Sequence, residues 1–239
     1  MSGHSKWATI KRKKAKEDAK RGKAFTTVIK EITIAARAGG GDPAGNPRLR
    51  TLLEKAKEIN MPIENTVRAI KRGTGELPGT HYEAVTYESY APYNIAVIVE
   101  TLTDNRNRTV AELRHLFSSH NGTVAETGAV SWMFSRMGVV RIPYASISEE
   151  KLLELLLDYD VSDIIHEDES FAIMCEIKML EAVKTILQKA GINIEHADIE
   201  WVPTNKNDQL SQEQAQVVLD FLDALENHDD VQNIYTNLA

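Results

Sequence analysis

The chain reads as an α+β protein: an N-terminal helical bundle followed by two α/β modules, the last a ferredoxin-like βαββαβ unit inserted into the middle one. Three observations predict this. Apolar residues recur at helical spacing through the first 75 positions. From Tyr82 the period changes from helical to two. Residues 138–203 then carry by themselves the order strand, helix, two strands, helix, strand.

The first helix spans Ile10–Ala38, with Phe25, Val28, Ile29, Ile32 and Ala36 on one face, and stops at Gly39–Gly41. Asn46 and Pro47 supply an N-cap and first-turn proline for a second helix through Ile59, with Leu49, Leu52, Leu53 and Ala56 inward. Pro62 opens a third, with Ile63, Val67 and Ile70 apolar, closed by Gly73. Short connections favour a small bundle, and Gly73–Gly79 reads as a linker.

Tyr82–Tyr90 and Ile95–Leu102 read as strands joined by an Ala-Pro-Tyr-Asn turn. Thr109–His120 is a helix with Val110, Leu113, Leu116 and Phe117 on one face, stopped by Asn121-Gly122. Val130, Trp132 and Phe134 alternate as a further strand. Gly138–Ile142 is the next, and Ser146 with Glu149 forms a capping box for a helix with Leu152, Leu153, Leu156 and Leu157 inward. Val161–His166 and Phe171–Ile177 make a hairpin. Leu180, Val183, Ile186 and Leu187 mark a helix ending at Gly191, and Ile192–Val202 is the last strand of the unit.

A second capping box, Ser211 with Gln214, opens a helix bearing Ala215, Val218, Leu219, Leu222 and Leu225, followed by a strand-like Val231–Leu238. A lone helix and strand cannot bury their apolar faces unaided. The tail is therefore expected to fold back on the middle module, giving domains at 1–78, at 79–136 plus 204–239, and at 137–203. Three sequential domains with a loosely docked tail is the competing reading.

Composition excludes collagen, a disulfide scaffold and wholesale disorder: 42% hydrophobic, 26% charged, one cysteine (Cys175). The longest apolar run, around Ile95–Val99, is far short of the roughly 20 residues of a membrane span. The basic start has no apolar h-region, so a soluble cytoplasmic protein is expected. The net charge of −7 hides an asymmetry. Residues 1–75 hold 18 Lys+Arg and 7 Asp+Glu; the remainder holds 10 and 28, so a head of +11 is joined to a body of −18. Local charge governs nucleic-acid binding, because salt screens beyond about 10 Å.

Lys6, Lys11, Arg12, Lys13, Lys14, Lys16, Lys20, Arg21 and Lys23 are the first candidates for phosphate contact. Arg12, Lys16, Lys20 and Lys23 fall at helical spacing, and such a row spans about 16 Å. Arg48 and Arg50 of the second helix extend the set. Arg106 and Arg108 open the 109–120 helix, where free backbone N–H groups favour anions; alternatively they pair with Asp104 or Glu100 and hold the turn. Trp7 packs on the bundle or stacks on a base. The bland alternative is a solvated basic helix face.

Enzymatic readings do badly. Gly39–Gly41 follows a helix and lacks Gly-Lys-Ser/Thr, the histidines are scattered, and one cysteine offers no zinc set of ordinary spacing. Glu83, Glu88 and Glu100 read as ordinary surface acids. No catalysis, metal or cofactor is expected. A scaffold binding protein partners through its acidic modules would leave the +11 head without purpose.

Met1-Ser-Gly-His-Ser-Lys-Trp7, Asp18-Ala-Lys-Arg-Gly-Lys23, Gly39-Gly-Gly-Asp-Pro43, Asn46-Pro-Arg-Leu-Arg50, Tyr87-Glu-Ser-Tyr-Ala-Pro92 and Leu102-Thr-Asp-Asn-Arg-Asn-Arg-Thr109 resemble the YebC/PmpR family over essentially the whole chain. The resemblance implies a helical domain and two α/β domains around a cavity. It also implies a cytoplasmic transcriptional regulator that binds promoter DNA. Some relatives act instead in translation, on ribosomes and RNA at stalled elongation, and that alternative stays open here.

Overall fold

The computed structural model describes residues 18–79, 81–167 and 169–239, with side chains from Ala24 onward. The expected helix start at Ile10, Trp7 and the cations from Lys6 to Lys16 lie outside the described residues.

Among the described residues three helices come first: α1 (Asp18–Gly39), α2 (Pro47–Glu58) and α3 (Ile63–Gly73). Their core joins Val28, Ile32 and Ala35 to Leu49, Leu52, Ala56 and Ala69. Asn46 ties two of them together. Its side-chain oxygen accepts from Leu49 N at 3.1 Å as the α2 N-cap, and its amide donates to Ala35 O and Gly40 O at 2.9 Å. α3 is rotated from the face that its apolar residues predict. Ile63 (78% exposed) and Val67 face solvent, while Thr66, Ala69 and Gly73 are buried. Close approach explains it: a Cβ on Gly73 would stand 2.5 Å from Thr33 O and 2.7 Å from Ala36 Cβ, so only small side chains fit against α1.

The first sheet is antiparallel, in the order β3 (Thr123–Val124), β1 (Glu83–Ala91), β2 (Ile95–Thr103), β8 (Val231–Thr236). Strands β1 and β2 form a hairpin with Ala91 opposite Ile95. Tyr93 and Asn94 turn it in the left-handed region, at φ 62° and 59°. β3 is only Thr123–Val124, and β8 pairs with β2 from the far end of the chain. Helices α4 (Arg106–Ser119) and α7 (Gln212–Glu226) cover one face, around Val97, Val99, Leu113, Phe117 and Leu222. Phe117 and Phe221 meet edge to face at 4.8 Å. The Ser211–Gln214 capping box is present at the start of α7. On the other face Ala96, Ile98, Val130, Phe134 and Tyr235 form a second cluster, with Trp201 against it.

The second sheet, order β5-β6-β4-β7, is built from β4 (Phe134–Pro143), β5 (Val161–His166), β6 (Ser170–Cys175) and β7 (His196–Pro203). With α5 (Glu149–Leu156) and α6 (Leu180–Lys189) between strands, it has the ferredoxin-like order, all antiparallel. Val140, Ile142, Leu152, Ile173 and Leu187 fill its core.

Several expected details change. Val130–Phe134 is not a strand: Ser131–Met133 form a 3-10 turn, Trp132 is 71% exposed, and β4 starts only at Phe134. α5 begins after Ser148, whose side chain makes no cap bond, so the Ser146–Glu149 box is not used. Leu153 and Leu157 face solvent, since α5 buries only the stripe of Leu152 and Leu156. β6 ends at Cys175, where Gly138 is its last partner on β4, and Ile177 enters a 3-10 turn. Ile192 fills the core ahead of β7 rather than belonging to it.

Candidate nucleic-acid interface

The described head, residues 18–73, carries 12 Lys+Arg against 6 Asp+Glu. Arg48 and Arg50 occupy the first turn of α2 and are exposed, and among the described residues neither has an ion-pair partner. Lys20, Arg21 and Lys23 lie on α1, whose continuous helix carries their backbone to within about 10–15 Å along the axis from Lys30.

Lys30 is a cation that the sequence did not single out, and it does not face solvent. It is 6% exposed and donates to Asp230 Oδ1 at 3.0 Å, Leu102 O at 3.0 Å and Asp229 O at 3.4 Å. Its ammonium also lies 5.5 Å from the centre of the Tyr82 ring. Asp230 offers its second oxygen to Arg108 Nη2 at 2.9 Å and Thr109 Oγ1 at 2.8 Å. Thr109 and Thr103 share a hydrogen bond of 2.7 Å, and Asn105 caps α4 by accepting from Arg108 N. Burial pushes the Asp230 carboxyl up, but bonds from Arg108, Thr109 and Lys30 outweigh it and hold the group at about 2.

The two α4 arginines are therefore unlike. Arg108 is held by Asp104 at 3.0 Å and by Asp230, with Glu112 at 3.9 Å, and its side chain remains 44% exposed. The pairing with Asp104 is one of the alternatives the sequence left open, and Asp230 joins it from 122 residues away. Arg106 is exposed without an ion pair among the described residues, beside the buried Tyr87 phenol. Burial raises the Tyr87 pKa, against the pull of Arg106.

Glu112, His228 and Asp230 bring ligand atoms within 4.8 Å of one another. The Asp230 oxygens already face the Lys30 ammonium and the Arg108 guanidinium, so a metal ion there would meet two cations.

Two of the carboxylates that read as surface acids are structural. Glu88 is buried and accepts the N–H groups of Gly128, Val130 and Ser131 at 2.7–2.8 Å. Burial raises its pKa, and those three donors bring it below the ordinary value. Glu100 accepts from Trp201 Nε1 at 3.1 Å, Asn233 at 3.0 Å and Tyr235 at 3.3 Å, so one side chain of β2 binds the two sheets together. On the helix-free face of the second sheet, Arg141 lies between Glu167 and Glu200, beside a small cavity lined by Ile165, Met174 and Trp201.

Comparison with known proteins decides the family. Residues 5–76 match the family model for the TACO1/YebC protein N-terminal domain, and residues 82–238 match that for the TACO1/YebC second and third domain. The chain belongs to the TACO1/YebC family. It is 54% identical to the "Probable transcriptional regulatory protein CT1665" of Chlorobaculum tepidum, and 53% identical to a "Probable transcriptional regulatory protein" of Chlorobium chlorochromatii. Each alignment covers all of this chain and 95% of the relative. The crystal structure of "a Conserved Hypothetical Protein Aq1575 from Aquifex aeolicus" matches with a TM-score of 0.86 and 46% identity, over 94% of this chain and 93% of that one. The family's α+β plan, with helices ahead of two antiparallel four-stranded sheets, is thus the plan of this chain. No helix among the described residues is long and apolar enough to cross a membrane.

Proposed function

We propose that this TACO1/YebC protein is a non-enzymatic, cofactor-free regulator of transcription in the cytoplasm that binds promoter DNA through its basic head, residues 1–78. The α/β body is divided into 79–136 plus 204–239 and an inserted 137–203; its acidic surfaces face away from the phosphates, and only Arg106 and Arg108 at the start of α4 join the head in the grip. The carrying observation is the segregation of charge: +11 in the first 75 residues, −18 in the rest, with Arg48 and Arg50 exposed and unpaired among the described residues. The names of the curated relatives support regulation of transcription. The gripping residues are Lys6, Lys11, Arg12, Lys13, Lys14, Lys16, Lys20, Arg21 and Lys23, with Arg48, Arg50 and Arg106. Arg108, half-committed to Asp104 and Asp230, supplies the face that those carboxylates leave open.

Salt titration of a promoter-duplex gel shift tests it. With six to eight phosphates neutralised, log K falls against log salt with a slope of about −5 to −7. A slope flatter than about −2 overturns the phosphate grip. Replacing Lys13, Lys16, Lys20 and Lys23 with Glu abolishes binding and leaves the fold intact. Co-sedimentation with ribosomes, without sequence-preferring DNA binding, would move the function to RNA.

A further inference from the structure

Lys30 belongs to the head, yet its three donors all go to the body. Its ammonium has three protons, and its three acceptors are Asp230 Oδ1, Leu102 O and Asp229 O. Leu102 N in turn donates to Asp230 O at 2.8 Å, so the end of β2 and the start of β8 close around the lysine. A buried, fully engaged ammonium cannot also hold a phosphate. The other oxygen of Asp230 orients Arg108 and Thr109, within one turn of Arg106 on α4. One carboxylate thus aligns the basic helix of the head with the exposed guanidinium of the body.

We propose that Lys30 and Asp230 are positioning residues for nucleic-acid binding: their contact holds the head in the one orientation that makes Arg106 part of the same phosphate-binding surface. This rests on the function proposed above. Removing Asp230 alone strands a buried ammonium and destabilises the protein. The informative variant is therefore Lys30→Met with Asp230→Asn, which deletes both charges together. It remains folded by thermal melting, with Arg108 kept on Asp104.

Two measurements read the orientation and its consequence separately. Trypsin cleavage after Lys71 and Arg72, at the base of the linker, quickens about tenfold in the double variant as the head is released. Binding of a duplex DNA probe is then measured with Arg106→Ala in both backgrounds. In the wild-type protein that change lowers affinity roughly fivefold and flattens the salt slope by about 0.9. In the Lys30→Met/Asp230→Asn background it changes neither, because Arg106 no longer reaches the bound strand together with the head.

Equal effects of Arg106→Ala in the two backgrounds would overturn the proposal, since a merely stabilising ion pair gives additivity. Unchanged trypsin cleavage would overturn it as well. A wild-type protein with no salt-dependent DNA affinity would refute the proposed function instead, and cleavage alone would then decide whether the contact holds the head.

Discussion

Glu88 on β1 accepts the Val130 N–H at 2.7 Å, 42 residues along the chain, and with it the N–H groups of Gly128 and Ser131. A buried carboxylate takes the place of a neighbouring strand for this loop. The loop's donors are used there, which is why residues 130–133 turn instead of pairing and why Trp132 projects outward. Glu88→Ala leaves three backbone donors without their acceptor and costs about 3 kcal/mol. Glu88→Gln keeps the shape but sets an amide N–H₂ against at least one donor, for a loss of about 2 kcal/mol. Denaturant melts check both values; a change below 0.5 kcal/mol in each would show that water serves those donors equally well.

Beside Glu88, two carboxylates with larger shifts shape the acid limb of stability. Asp230 and Glu200 are both held at about 2, Asp230 by Arg108, Thr109 and Lys30, Glu200 by His196 and Arg141, in each case against burial. Unfolded values are near 3.9 and 4.3. A depressed folded pKa gives stability that is fully present above the unfolded pKa and is lost as pH falls through the window toward the folded value. Each group then contributes about 3 kcal/mol at neutral pH, lost between roughly pH 4.5 and 2. Glu200→Gln flattens the stability–pH curve in that window. An unchanged slope would remove Glu200 from the account.

Gly73→Ala tests the helical head alone. The added methyl meets a backbone carbonyl, Thr33 O, and the Ala36 methyl, neither of which can swing aside. The expected loss is about 1–3 kcal/mol, seen as a lower melting temperature, although alanine is intrinsically the better helix former. A stabilised variant would mean that α1 and α3 separate freely.

Local chemistry is what the sequence made legible. Asn46-Pro47, Ser211 with Gln214, and the β1–β2 hairpin each rest on a few neighbouring residues, and each is found in place, although β2 is buried on both faces instead of alternating. Facing directions were harder to read, because a partner helix sets them. Ile63, Val67, Leu153 and Leu157 complete apolar stripes in the sequence yet face water, since the contacts with α1 and the second sheet use narrower stripes. The Lys30–Asp230 contact spans 200 residues and leaves almost no local trace. Its one signal was a lysine among the apolar-face residues Val28, Ile29, Ile32 and Ala36, which reads equally well as one more cation of a basic helix.

Arg48 and Arg50 separate binding from folding most cleanly. Both stand in the first turn of α2, which has no acidic residue there, and each cation opposes the helix dipole. Reversal to Glu replaces an unfavourable charge with a favourable one, so Arg48→Glu/Arg50→Glu raises the stability of the head by about 0.5–1 kcal/mol. The same change removes two phosphate contacts and adds repulsion. The salt slope becomes shallower by about 1.8, and DNA affinity falls at least roughly tenfold. Stability and affinity moving in opposite directions cannot come from unfolding. Melts and gel shifts on one preparation decide it: retained affinity in a stabilised variant would take α2 off the phosphate-binding surface and leave the grip to α1 and the residues before it.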